Sequence, residues 1–174
     1  NGGFALFERC VFRNAIGGYG YASGGGGLYN AKGNLEVRNC IFAGNQTWST
    51  GGSALRHASS GTTRLFNCLL RNNTEGTTAN GTVLVSSGTV RIENCTITDN
   101  AGVGIRRTGG TVILTNSIVW NNFGGDLSGT VTVAYSLVGT GLTGTETGCF
   151  SADPLFENGY RLSANSPARD AGGE

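Results

Sequence analysis

Short stretches of alternating apolar and polar residues recur along the chain, each broken by one residue that shifts the parity. In Thr89–Glu93, Val90 and Ile92 alternate with Arg91 and Glu93. Asn94 interrupts, and Cys95 and Ile97 resume the apolar set one residue late. A period of two marks a half-buried strand. A single parity-shifting Asn marks a corner, because Asn tolerates the bent backbone there. A second corner is expected at Thr98–Gly102, a short strand over 103–106 and a third corner at Thr108–Gly110. Three strands and three corners in 22 residues describe a triangular coil.

The same frame recurs as VRNCIFAGN (37–45), LFNCLLRNN (65–73) and LTNSIVWNN (114–122), with looser copies at Glu8–Asn14 and Val133–Gly139. Successive hits fall at Cys10, Cys40, Cys68, Cys95, Ser117 and Ser136, at intervals of 30, 28, 27, 22 and 19 residues. Such a period means stacked units, none able to bury its apolar face alone. Gly, Thr, Asn, Val and Ile dominate, and long amphipathic windows are missing, which excludes helical repeats. Leucine-rich repeats would need Leu at fixed offsets that the chain does not supply. An all-β solenoid of six to seven rungs remains, on the order of 30 Å long at the usual strand spacing.

Stacking predicts ladders. Phe7, Val37, Leu65, Ile92, Leu114 and Val133 form one inward column; Phe12, Phe42, Leu70, Ile97, Val119 and Val138 form the other. Asn39, Asn67, Asn94 and Asn116, flanked by Arg9 and Tyr135, form a corner ladder able to pass amide hydrogen bonds between rungs. Cys10, Cys40, Cys68 and Cys95 are expected as stacked core thiols, and Cys149 falls outside the register. The Gly-rich segments Gly17–Gly27, Gln46–Ser53 and Thr74–Gly81 read as surface loops. Rungs occupy residues 1–148. Residues 149–174 read as a C-terminal cover of the same domain, with Asp153–Ala171 shielding the open edge of the last rung.

Net charge is +1 and only 13% of residues are charged, so the balance does not point to nucleic acid. No run of about 18 apolar residues exists for membrane insertion by a helix. The chain contains no Met and opens on no signal-peptide pattern, which reads as a processed or excised piece of something longer.

NCIFAGN, with GGGGLYN (24–30) and GGSALRH (51–57), resembles the paired FxxN and GGAIY-type repeats of chlamydial polymorphic outer-membrane proteins. NSIVWNN, YSLVG and DPLF…YRLSANSPARDAG are similar to right-handed parallel β-helix proteins of the choice-of-anchor type, common in secreted bacterial proteins. The resemblance covers nearly the whole chain. It implies a right-handed parallel β-helix that is secreted or displayed at the cell surface, usually as one segment of a long protein.

Many β-helices act on polysaccharides, and that chemistry needs particular groups. A lyase needs clustered carboxylates for calcium and a basic residue; a hydrolase needs converging carboxylates. The only Asp residues are Asp99, Asp126, Asp153 and Asp170; Asp99 has no acidic neighbour in its corner column, and Asp153 and Asp170 lie in the cover, where turn-making is the expected role. His57, the only His, reads as surface decoration. No catalytic residue, metal site or cofactor is predicted. Thr residues do not form an outward column of the kind an ice-binding face needs. Glu36, Arg64 and Arg91 share one outward column and Glu8, Arg38 and Glu93 the next, a solvated face with cross-rung pairs.

More unusual is the outward column after the Cys: Val11, Ile41, Leu69, Thr96, Ile118 and Leu137. It is almost wholly apolar, with Phe66, Trp120 and Ile113 nearby. Such a stripe marks a contact surface, either covered by another part of the protein or open to self-association or another protein. The expected function is a structural stalk, adhesin or filament-type surface module. The alternative is a carbohydrate-active or glycan-binding module, with a surface glycan as ligand.

Overall fold

A computed structural model describes residues 2–17, 24–48, 51–76, 80–143 and 146–173. All its strands but two run parallel and stack into the faces of one coil. The first sheet contains Phe4–Glu8, Asn34–Arg38, Thr62–Phe66, Thr89–Glu93, Thr111–Thr115 and Thr132–Ala134, in chain order. The second contains Val11–Arg13, Ile41–Ala43, Leu69–Arg71, Thr96–Thr98, Ile118–Trp120 and Leu137–Val138. The third contains Leu28–Asn30, Gly52–His57, Gly81–Val85, Val103–Arg107 and Leu127–Ser128.

Both predicted inward columns pair in register from end to end. From Val37 to Leu114 in the first column, and from Phe42 to Val138 in the second, these side chains are fully buried. Each such burial stabilises by about 1.5–3 kcal/mol. A one-residue slip would turn the whole set to solvent, so the apolar pattern fixes the register. At the first rung Phe12 stacks on Phe42, with centroids 4.6 Å apart and planes at 7°.

The corners follow from single left-handed residues. Arg9, Asn39, Asn67, Asn94, Asn116 and Tyr135 all have φ between 48° and 55°. One such residue between two extended segments turns the chain without a loop, and Asn accepts the conformation at low cost. Asn14, Gly44, Asn72, Asp99 and Asn121 form a second such column, with φ of 52° to 65°.

The Gly-rich segments are not loops throughout. Ile16–Gly17, Gln46–Thr47 and Thr74–Glu75 pair into a small fourth sheet at a corner. Residues 18–23, 49–50 and 77–79 of those segments lie outside the described set. The double Gly before the third sheet has a steric cause: a Cβ on Gly25 or Gly52 would sit 1.9 Å from the carbonyl oxygen of Leu28 or Leu55. Gly81 lies at the irregularity where this curl is lost and the register shifts.

The C-terminal end departs from expectation twice. Thr147 bridges Ala134 and Phe150 bridges Leu137, which places Cys149 in register with Ser136. Gly148, at φ 63°, takes the corner position, so a seventh turn begins. The short spacing hid it, because the previous turn is cut to 13 residues. Beyond it, residues 153–171 do not simply shield the last edge. The hairpin of Phe156–Glu157 and Arg161–Leu162 and the tail after it run back along the outside of the second sheet.

Candidate interaction surface

The second sheet has two outward columns. The stripe Val11–Ile41–Leu69–Thr96–Ile118–Leu137 pairs in register over all six strands. Exposure falls along it: Val11 is 59% exposed, Ile41, Leu69 and Ile118 are half-buried, and Leu137 is 2% exposed. The C-terminal segment, a strap, lies over the last part of the stripe. Leu162, Ala168, Ala171 and Gly172 lie opposite Thr96, Ile118 and Leu137, and Phe150 pairs beside Leu137. Asn116 Nδ2 donates to the Gly173 carbonyl at 3.1 Å, and the Gly173 N–H returns a 2.9 Å bond to Asn116 Oδ1. Farther back, the Arg71 guanidinium stands 5.4 Å from the Tyr160 ring centroid. The Tyr160 hydroxyl lies against Asp99 and Asn72; burial and then the Asp99 carboxylate push its pKa up. Of the predicted surface residues, Val11 is exposed and Ile41 and Leu69 are half-buried; all three lie outside the residues that face the strap across its cavity, with Phe66 (36% exposed) beside them. Ile118 and Leu137 face the strap, and half-buried Trp120 lines a separate groove.

The polar ladders organise this surface from within. In the predicted corner column, Asn67 Nδ2 donates to Asn39 Oδ1 at 2.6 Å, and Asn116 is turned to the strap. The continuous amide ladder runs in another column, one residue past the second corner, where side chains point inward. Asn45, Asn73 and Asn100 each donate Nδ2 to Oδ1 of the next Asn, at 3.0, 2.9 and 2.8 Å. Asn122 closes the series on Asp126 Oδ1 at 2.7 Å, and Thr140 donates to Asp126 Oδ2 at 3.1 Å. The same Nδ2 groups reach back to the carbonyls of Phe12, Phe42, Leu70 and Ile97. Aligned amides of this kind polarise one another.

The Cys column is a ladder too, not packing alone. Cys10 N–H donates to Cys40 Sγ at 3.3 Å and Cys68 N–H to Cys95 Sγ at 3.4 Å. Cys95 and Ser117 continue it onto Ser117 Oγ and Ser136 Oγ, both at 3.1 Å. Each thiol or hydroxyl donates to the carbonyl two residues back, as in Cys40 to Arg38 and Ser117 to Thr115. Ser fits the Cys place because it repeats both bonds. The thiols are free, and burial pushes Cys40 and Cys95 up.

Three other expectations change. His57 is not on the surface: it is fully buried, and Nδ1 meets the Thr63 hydroxyl at 2.9 Å beside Asn30. Burial lowers its pKa, which favours the neutral ring. Thr62, Thr89 and Thr111 do stand in one outward column, although the neighbouring column carries Glu36, Arg64 and Arg91. The ion pair of Glu36 lies within its strand, to Arg38 at 2.6 Å, while Arg64 reaches Glu93 across rungs at 3.4 Å.

Sequence reasoning passed over Glu75. Its carboxylate packs on Gly102, where a Cβ would stand 2.1 Å from Cδ. Burial raises its pKa to about 7, with Ser53 and Arg106 pulling the other way. Ser53 Oγ and both Glu75 oxygens are buried without a hydrogen bond of good geometry, so Ser53 offsets little of the burial. The Gly at 102 was the available signal, and a loop reading concealed it.

Among the described residues no group of three or more His, Cys, Asp or Glu side chains could hold a metal ion. Among the same residues no helix is long and apolar enough to cross a membrane. A family model described as a right handed beta helix region matches residues 1–140. The chain belongs to that family. Searches of curated proteins and of solved structures gave no match. As a right-handed β-helix, the chain carries a scaffold found in enzymes and non-enzymes alike, so its function must be argued from its surfaces.

Proposed function

We propose that the chain is a non-enzymatic module of an extracellular or cell-surface protein, a rod that presents the open half of its second sheet to another protein surface. A second copy of the chain is the partner to test first. The observation that carries the reading is the stripe itself: exposed Val11 and half-buried Ile41 and Leu69 follow one another in register, away from the strap's cavity, with Phe66 at their side. Stacked strands hold these side chains on a flat, rigid face, so contact costs little ordering entropy. The buried amide and thiol ladders support the same reading, since they stiffen the coil and leave its outer face free to bind. Light scattering on the chain and on Ile41→Lys and Leu69→Lys tests it. The expected result is association that weakens tenfold or more in either variant; monomers in all three would remove self-association.

A second reading, glycan binding, draws on one groove. Trp120 and Phe123, the latter 85% exposed, flank a cavity of about 320 Å³ with Asn121 and Thr140 on its rim. Aromatic faces beside hydrogen-bonding groups suit a sugar ring. Incubation with uronate and neutral polysaccharides decides: product formation or calcium-dependent binding would favour this reading over the first.

A further inference from the structure

The strap is joined to the coil differently from everything else in the molecule. Each rung is tied to the next by ladder hydrogen bonds, whereas the strap makes no strand pairing with the coil among the described residues. Its own backbone bonds are local, as from Tyr160 to Glu157, Ser163 to Leu155 and Ser166 to Ser163. Its attachments are the Asn116–Gly173 pair, the Tyr160 contacts and apolar packing.

That packing is incomplete. A cavity of about 190 Å³ remains between strap and coil, lined by Ile118 and Leu137 on one side and Leu162, Ala168 and Ala171 on the other. A void of this kind weakens an interface. The connection is also suited to a hinge. After the seventh turn ends at Phe150, Ser151–Ala152–Asp153 lead to Pro154, and Leu155 is held at φ 51°, a costly value for a branched side chain.

We propose that residues 152–173 are an exchangeable strap, and that the covered half of the second sheet is a docking surface for the strap of a second copy of this chain. The partner follows from the structure, since the segment that fits Thr96, Ile118 and Leu137 is this strap and every copy carries one. Closed monomer and exchanged dimer make the same strap–sheet contacts, so the hinge and the entropy of association separate their free energies. The surface involved is the covered half of the stripe, so the inference does not depend on the open half binding anything.

The test is made in Ile41→Lys/Leu69→Lys chain, where the open half is charged. Deleting Ser151 and Ala152 shortens the connection by about 7 Å, so that a strap cannot reach its own sheet. The expected product is a dimer by light scattering, and adding Ile118→Lys, under the strap, dissociates it. A folded monomer, or a dimer indifferent to Ile118→Lys, overturns strap exchange. Neither result touches the open-half reading, which is judged on the unshortened chain. If the deletion blocks folding, the full-length Ile41→Lys/Leu69→Lys chain decides. Held concentrated in mild urea and then diluted, it is expected to yield a dimer that reverts slowly, because each strap must open first. Monomer alone overturns the proposal.

Discussion

Asn100 shows how one side chain can serve two rungs. Its Nδ2 donates to Asn122 Oδ1 at 2.8 Å and to the Leu70 carbonyl at 3.1 Å, while its Oδ1 receives the Asn73 N–H at 2.9 Å. Asn100→Ala leaves the buried Asn73 N–H without its acceptor and removes both Nδ2 donations, and urea denaturation should show a loss of about 2–4 kcal/mol. Asn94 poses a different problem, because its φ of 53° is the constraint and its side chain is exposed. There Asn94→Gly should cost under about 0.5 kcal/mol and Asn94→Val about 1–2 kcal/mol. Glu75 gives a pH signature. Its folded pKa of about 7 lies above the ordinary 4.5, so the folded state holds the proton more tightly. Stability from this group is greatest below pH 4.5, falls as pH rises to about 7 and is flat beyond. Relative to Glu75→Gln, the wild type should lose about 1–2 kcal/mol between pH 5 and 8 by urea denaturation, the shift being discounted for partial exposure. His57, whose pKa is lowered, acts in the opposite sense and is common to both proteins.

At the scale of the element, periodicity made the coil legible. Val90, Ile92, Cys95 and Ile97 state the two inward faces, and Asn94 states the corner between them. Any feature repeated in every rung could be read this way, because stacking forces equivalent residues into one column. The buried amide ladder repeats too, at Asn45, Asn73, Asn100 and Asn122, but sequence alone does not say which of two Asn columns turns inward. That depends on the left-handed residue just before it, Gly44, Asn72, Asp99 or Asn121. The Cys column is legible as a repeated position while its bonding is not, since a thiol reads as a small hydrophobe until its neighbours are known. Two outcomes check it. Cys95→Ser should keep stability within about 1 kcal/mol, whereas Cys95→Ala, which orphans the Cys68 N–H, should cost about 1–3 kcal/mol. Cys40, Cys68 and Cys95 should resist a thiol reagent in the folded protein and react on unfolding.

At the scale of the whole molecule, the strap was the least legible part. Its sequence occurs once, so no column defines its place, and its contacts span rungs as distant as Arg71 and Tyr135. It divides one stripe into an open half and a covered half, a division that the apolar pattern could not show. The same non-repeating character hid Cys149 in its shortened turn and Glu75 beneath a corner. Under the proposed function, the rod is a scaffold whose open stripe is the working surface. Sedimentation of the wild type beside Ile41→Lys/Leu69→Lys, over a range of concentrations, addresses that most directly. The predicted result is reversible association of the wild type that the two lysines abolish while the circular dichroism spectrum stays β-rich. Identical sedimentation of the two proteins, monomeric or associated, would contradict it.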